Sequence, residues 1–96
     1  MGFKSIITDD TDHCYICDSP YVECHHAIYG CGKRDLSTAY MLLVPLCHAH
    51  HMELHNSNPQ MARFFKAKAQ ECFEKHYPDK DFLKIFGKNY KENENE

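Results

Sequence analysis

Pro45-Leu46-Cys47-His48-Ala49-His50-His51-Met52-Glu53-Leu54-His55 is the stretch from which the rest of the chain is best read. Five side chains able to ligate a metal, Cys47, His48, His50, His51 and His55, fall within nine residues. On a helix, Cys47 and His50 share one face. His51 and His55 are four apart and share another, rotated by roughly a quarter turn. One short helix can therefore feed two separate metal sites. The apolar run Met41 to Leu46 just before it fits a strand, and Pro45 marks an edge or a strand end.

Two further concentrations lie upstream, Cys14-Tyr15-Ile16-Cys17 and Glu23-Cys24-His25-His26. Cys14 and Cys17 have the spacing at which two thiolates reach one tetrahedral ion, and Cys47 with His50 repeats it. Three sulfurs and one nitrogen suit a structural zinc. Cys24 and Cys31 are the alternatives to Cys47 or His50 in that set. Cys72 falls on the apolar face of a long helical pattern and reads as a core residue.

His25 and His26 are neighbours on a short apolar stretch, Tyr21 to Ile28, that fits a first strand. Strand neighbours point to opposite faces, so one of the pair ligates and the other faces the substrate. His51 and His55 have the one-turn spacing that lets two imidazoles share an ion. A strand ligand plus two helix ligands leaves coordination positions open, which separates a catalytic metal from a structural one.

The chain as a whole agrees with a metal-stapled domain. At 96 residues there is little room for an ordinary hydrophobic core, and domains this small often need disulfides or a metal. Met1 to Thr8 lacks the pattern of a signal peptide, so the expected location is the cytoplasm. There, Cys-x2-Cys and clustered histidines point to metal rather than disulfides. No apolar run approaches a membrane span, so no membrane partner is expected. The formal net charge of −3 owes much to Glu92, Glu94 and Glu96. That balance argues against gripping nucleic acid by net charge alone; a bound cation would raise the potential locally.

The remaining elements are read from punctuation and periodicity. Residues 1–12 read as an irregular lead-in with a short strand at Phe3 to Ile7. Asp18-Ser19-Pro20 is a turn signal, and Gly30 to Asp35 reads as a loop because of its two glycines. Asn58 is a good N-cap and Pro59 suits the first helical position. From there Met61, Phe64, Phe65, Ala69, Cys72, Phe73 and Tyr77 trace the apolar face of a long helix closed by Pro78. Arg63, Lys66, Lys68 and Lys75 read as its solvated face. Asp79 to Phe86 reads as a last short helix, with Phe82, Leu83, Ile85 and Phe86 available for packing and Gly87 as C-cap. His13, His48 and His76 read as surface histidines. The expected organisation is a single domain over residues 1–87, with a core at 14–55, helices at 58–87, and a disordered tail at 88–96.

From Cys14 to His55 the residues resemble the HNH endonucleases, of the ββα-metal nuclease type. The resemblance implies a zinc-stapled ββα core followed by C-terminal helices, in a small α+β fold. It implies His25 as the strand metal ligand, His26 as general base, His51 as the helix metal ligand, and His55 as the extra ligand of colicin-type members. It further implies one divalent metal, Mg²⁺, Mn²⁺, Ni²⁺ or Zn²⁺, and hydrolysis of DNA phosphodiesters. A backbone carbonyl near Cys24 or in the loop after it is expected to set the His26 tautomer. The ending Phe82 to Tyr90 also resembles small phage-encoded HNH proteins, which implies phage packaging or recombination proteins as partners. One departure is plain: the family's middle asparagine has no counterpart near Met41 or Leu42. Ser37, Thr38 or Tyr40 is left to hold that loop. The alternative expectation is an inactive zinc-stabilised module of the same fold that binds DNA or a phage protein. A zinc-finger regulator is weaker, for want of a basic recognition helix.

Overall fold

A computed structural model of the protein describes residues 3–30 and 32–91. The chain forms a small α+β fold: a two-stranded sheet with helices packed about it. The strands are β1 (Glu23–His26) and β2 (Leu43–Leu46), and the helices are α1 (Lys33–Ala39), α2 (His48–Asn56), α3 (Pro59–His76) and α4 (Phe82–Phe86). β1 and β2 are antiparallel, with His25 opposite Val44 and Cys24 opposite Pro45. Every residue of β2 is buried.

Pro45 is tolerated in β2 because its side of the strand faces away from β1. Its carbonyl accepts from Tyr15 N–H at 2.8 Å, so the missing Pro45 N–H would also have pointed outward. The Cys14–Cys17 turn thus covers the free edge of β2. The lead-in lies nearby without forming the expected strand at Phe3 to Ile7. Ser5 Oγ donates to the Leu43 carbonyl at 2.6 Å, and Ile6 N–H donates to the Met41 carbonyl at 3.0 Å.

Both strands are shorter than expected. The stretch Tyr21 to Ile28 pairs only over Glu23–His26, and Met41 to Leu46 only over Leu43–Leu46. Met41 has φ 62, a left-handed conformation that cannot continue a strand. The larger correction concerns Gly30 to Asp35, expected as loop. The turn there leads into α1, whose N-cap is Gly32 at φ 83. Glycine meets that backbone requirement, and Lys33 to Ala39 then run helical.

α1 is locked to the sheet by one buried hydroxyl. Ser37 Oγ donates to the Ile28 carbonyl at 2.6 Å and accepts from Ile28 N–H at 3.1 Å. Ser37 O also accepts from Leu42 N–H at 2.8 Å. A single residue therefore ties the end of the first strand segment to the start of the second.

The core lies between the sheet and the C-terminal helices. Ile28, Leu42, Val44 and Leu46 meet Leu54, Phe65, Ala69, Phe73, Phe82 and Phe86. α3 starts as expected, with Asn58 Oδ1 accepting from Met61 N–H at 3.0 Å and Pro59 following it. Its buried stripe is Ala62, Phe65, Ala69, Gln70 and Phe73. Phe64 does not belong to that stripe; it is 53% exposed, one position round the helix from Phe65. Lys66, expected on the solvated face, is half-buried. α4 is shorter than Asp79 to Phe86, because Asp81 caps it by accepting from Lys84 N–H. Leu83 turns outward, and Gly87 ends the helix at φ 79.

The first part of the expected disordered tail is held. Tyr90 N–H donates to Gln70 Oε1 at 2.7 Å, and Lys91 Nζ lies 2.7 Å from Glu74 Oε1. Residues 92–96 lie outside the described residues. No helix among the described residues is long and apolar enough to cross a membrane.

Ser37→Ala should destabilise the fold by roughly 1–3 kcal/mol, because the Ile28 N–H and C=O lose a buried partner together. Urea denaturation of the variant beside Ala39→Ser, an exposed change on the same helix, measures this. Equal midpoints for Ser37→Ala and the unmutated chain would count against the lock.

Candidate functional site

Cys47 is the N-cap of α2, so its thiol sits at the helix start, one turn from the His50 ring. The backbone turn at Cys14–Cys17 brings two more thiols to the same point. Cys17 Sγ lies 3.8 Å from Cys47 Sγ; His50 Nδ1 lies 3.2 Å from Cys47 Sγ and 3.7 Å from Cys14 Sγ. Ligands of a tetrahedral zinc at ~2.3 Å are separated by about 3.8 Å along each edge. The four donors therefore stand at coordination spacing and can hold a metal such as zinc. Cys14, Cys17, Cys24, Cys47 and Cys72 are all free thiols.

The protonation of the knuckle fits that use. Burial would raise the Cys14 thiol, but the backbone N–H groups of Cys17, Cys47 and Ile16 outweigh it and bring it down to about 6. A thiol so placed is readily a thiolate, the form that binds metal. Cys24 is outside this set, with its thiol pushed up by burial. Cys31 lies outside the described residues.

The second set is built across β1 and α2. His25 points inward from β1 and is 1% exposed. His51 and His55 stand one turn apart on α2, and the three ring centroids are 5.1 to 5.4 Å from one another. One ligand nitrogen from each lies within 4.8 Å of the others. His25 Nε2 is fully buried with no hydrogen-bond partner among the described residues. A buried imidazole nitrogen left unpaired is costly, by roughly 1–3 kcal/mol, and a cation between the three rings would satisfy it. Burial, then the neighbouring His51 and His55, push the His25 pKa down to about 3. It is a neutral imidazole at ordinary pH, the form that ligates.

Glu23 supports this set, a role that the metal-ligand spacings do not single out. Its Oε1 accepts from His51 Nδ1–H at 2.7 Å and its Oε2 accepts from His48 Nδ1–H at 2.8 Å. Both bonds hold the carboxyl below its ordinary range, the His51 bond first. With Nδ1 committed to Glu23, Nε2 of His51 is the nitrogen left for a ligand. One signal does point to it: Glu23 and His25 are two apart on a strand and so share a face. His48, expected as a plain surface histidine, is exposed but tied to that carboxylate.

His26 points the other way from His25, as strand neighbours do. Its Nε2 lies 3.1 Å from Thr38 Oγ1 on α1. The Thr38 hydroxyl donates its one hydrogen to the Arg34 carbonyl at 3.2 Å. It must therefore accept from His26 Nε2–H, which leaves Nδ1 of His26 with a free lone pair. Among the described residues the partner is a side chain of α1 rather than the expected backbone carbonyl near Cys24 or in the loop after it. Burial, then Arg34 and His51, lower the pKa of His26 and keep the ring neutral.

Of the residues expected to stand in for the middle asparagine, Ser37 ties the loop and Thr38 orients His26. Tyr40 packs instead on Phe73 and Tyr77. The four histidines His25, His26, His51 and His55 open into a cleft of about 310 Å³, with Tyr29 and Arg34 at its sides. A third grouping, Asp10, His13 and Asp18, lies on the exposed surface, and His13 is already bonded to Asp10.

Compared with protein-family models, curated proteins and solved structures, the chain matches none of them.

Two outcomes separate the sites. Strong chelation or Cys17→Ala should unfold the domain, read as loss of the thermal transition. His51→Ala should keep zinc near one ion per chain by elemental analysis while abolishing calorimetric binding of added metal. Loss of the tight zinc from His51→Ala would show that His50 and His51 have been assigned to the wrong sites.

Proposed function

We propose that the chain is a metal-dependent endonuclease of the HNH, ββα-metal type that hydrolyses DNA phosphodiester bonds with His26 as general base. The observation that carries this is the pairing of His25 and His26 on β1. One ring completes a three-imidazole set with α2. The other, held by Thr38 through Nε2, lines the same cleft. The antiparallel pair β1 and β2 followed by α2, with α1 inserted between the strands and histidines on β1 and α2, further supports the HNH assignment.

In this mechanism His26 takes a proton from the attacking water through Nδ1. Thr38 fixes the ring so that this nitrogen, not Nε2, is the acceptor. Arg34 flanks the cleft with a positive charge suited to a phosphate oxygen. His25, His51 and His55 would hold a divalent cation, with Glu23 fixing the tautomer of His51. That cation, when bound, supplies positive charge against the phosphodiester and its leaving oxygen. Three imidazoles suit Mn²⁺, Ni²⁺ or Zn²⁺ better than Mg²⁺, which prefers oxygen donors. The knuckle of Cys14, Cys17, Cys47 and His50 would carry a structural zinc and keep α2 docked on β2.

Plasmid cleavage with added Mg²⁺, Mn²⁺, Ni²⁺ or Zn²⁺ tests the proposal. His26→Ala should keep the metal content and the fold and slow cleavage by about two to four orders of magnitude. Thr38→Val should give a smaller loss, because the base remains but its tautomer is no longer set. A chain that never cuts with any of the four metals, while holding them, is instead a binding module of the same fold. Loss of metal in His26→Ala with retention in His25→Ala would exchange the roles of the two histidines.

A further inference from the structure

Beside the histidine cleft lies a cluster of cations drawn from three separate elements. Lys66 of α3 stands over the Tyr29 ring, its Nζ 4.5 Å from the centroid and 5.8 Å from the centroid of Tyr90. Lys88, just after α4, places its Nζ 5.6 Å from the same Tyr90 centroid. Lys33 begins α1 and lies within electrostatic reach of Lys66. Among the described residues no carboxylate pairs with Lys33, Lys66 or Lys88. Burial first, then Lys88 and Lys33, hold the Lys66 ammonium below the ordinary lysine range. Three like charges are thus gathered with no carboxylate at ion-pair distance among the described residues, on a chain whose formal net charge is −3.

The cluster is continuous with the site. A second cleft of about 450 Å³ runs along α3 and is lined by Tyr29, His55, Arg63 and Lys66, among others. It shares Tyr29 and His55 with the histidine cleft. A path therefore leads from the three imidazoles past Tyr29 to Lys66. Repulsion among gathered ammonium groups is relieved by an anion, and a polyanion with regularly spaced charges fits a path better than a single ion does.

We propose that Lys33, Lys66 and Lys88 bind backbone phosphates of the DNA flanking the bond that enters the histidine cleft. The assignment of DNA as the polyanion rests on the nuclease function proposed above; the convergence of the lysines does not. The surface lies on α3 and the segment after α4, outside the strand–strand–helix core, with Lys33 reaching it from α1. The C-terminal third of the chain is then part of the substrate interface as well as of the hydrophobic core.

The test is binding of a labelled DNA duplex by anisotropy in the His26→Ala background, with Ni²⁺ present, from 50 to 200 mM salt. Lys33→Gln, Lys66→Gln and Lys88→Gln together should weaken binding by about tenfold or more at low salt. The slope of log affinity against log salt should become shallower by about 0.9 for each phosphate no longer neutralised. Lys75→Gln, on the exposed side of α3, should leave both unchanged, and Lys66→Arg should keep them near their starting values. An unchanged slope overturns the proposal, as does weaker binding at unchanged slope, which marks a structural effect. So does a His26→Ala chain that binds no DNA at all. Cleavage by the chain with His26 intact is scored separately. A protein that binds DNA through these lysines yet never cuts keeps this inference and loses the nuclease function. One that cuts, but binds alike with and without the lysines, does the reverse.

Discussion

The contact on which the rest of the structure depends is the meeting of the Cys14–Cys17 turn with the start of α2. A chain of this length buries little apolar surface, so a loop without regular structure would not stay against the sheet unaided. Three thiols and one imidazole at coordination spacing, able to hold a metal such as zinc, would supply the missing attachment, and the Tyr15 bond to the Pro45 carbonyl aligns the turn along β2. Everything downstream inherits that placement. α2 leaves the sheet from a fixed point, and the aromatic core of α3 and α4 packs behind it.

The same helix start also settles how two sites can coexist in so few residues. Cys47 and His50 face the knuckle, while His51 and His55 face β1. His50 and His51 are adjacent, and the rotation between neighbours on a helix, about 100°, is what sends them to different donor sets. The separation needs no intervening wall. It needs only that α2 be helical from His48 onward and that β1 present His25 on the inward face.

Much of this is legible in residue spacing, and the parts that are not have a common cause. Cys14-x2-Cys17, Cys47-x2-His50 and His51-x3-His55 are local patterns whose geometry comes from a turn or a helix. Asn58-Pro59 and Gly87 mark helix ends by local backbone chemistry, and they sit where the structure has them. α1 is hidden because Gly30 and Gly32 announce a turn, and the seven residues KRDLSTA carry no apolar period that would announce a helix beyond it. The partners of His26 and His51 are hidden because Thr38 and Glu23 are joined to them through space, across elements, at distances that no periodicity encodes. Composition puts Phe64 and Leu83 inward, whereas the packed face of each helix is narrower than its apolar content.

The two bonds of Glu23 have one more consequence. They reach His48 and His51, three residues apart on α2, from a strand whose position is set by its own pairing. Two such points fix the azimuth of a helix about its axis, as two pins fix the phase of a wheel. A roll by one residue would exchange His50 and His51 and mismatch both ligand sets at once. Because the carboxylate enforces the phase through hydrogen bonds, the imidazoles would already be indexed before an ion reached them. Less ordering entropy is then left for binding to overcome.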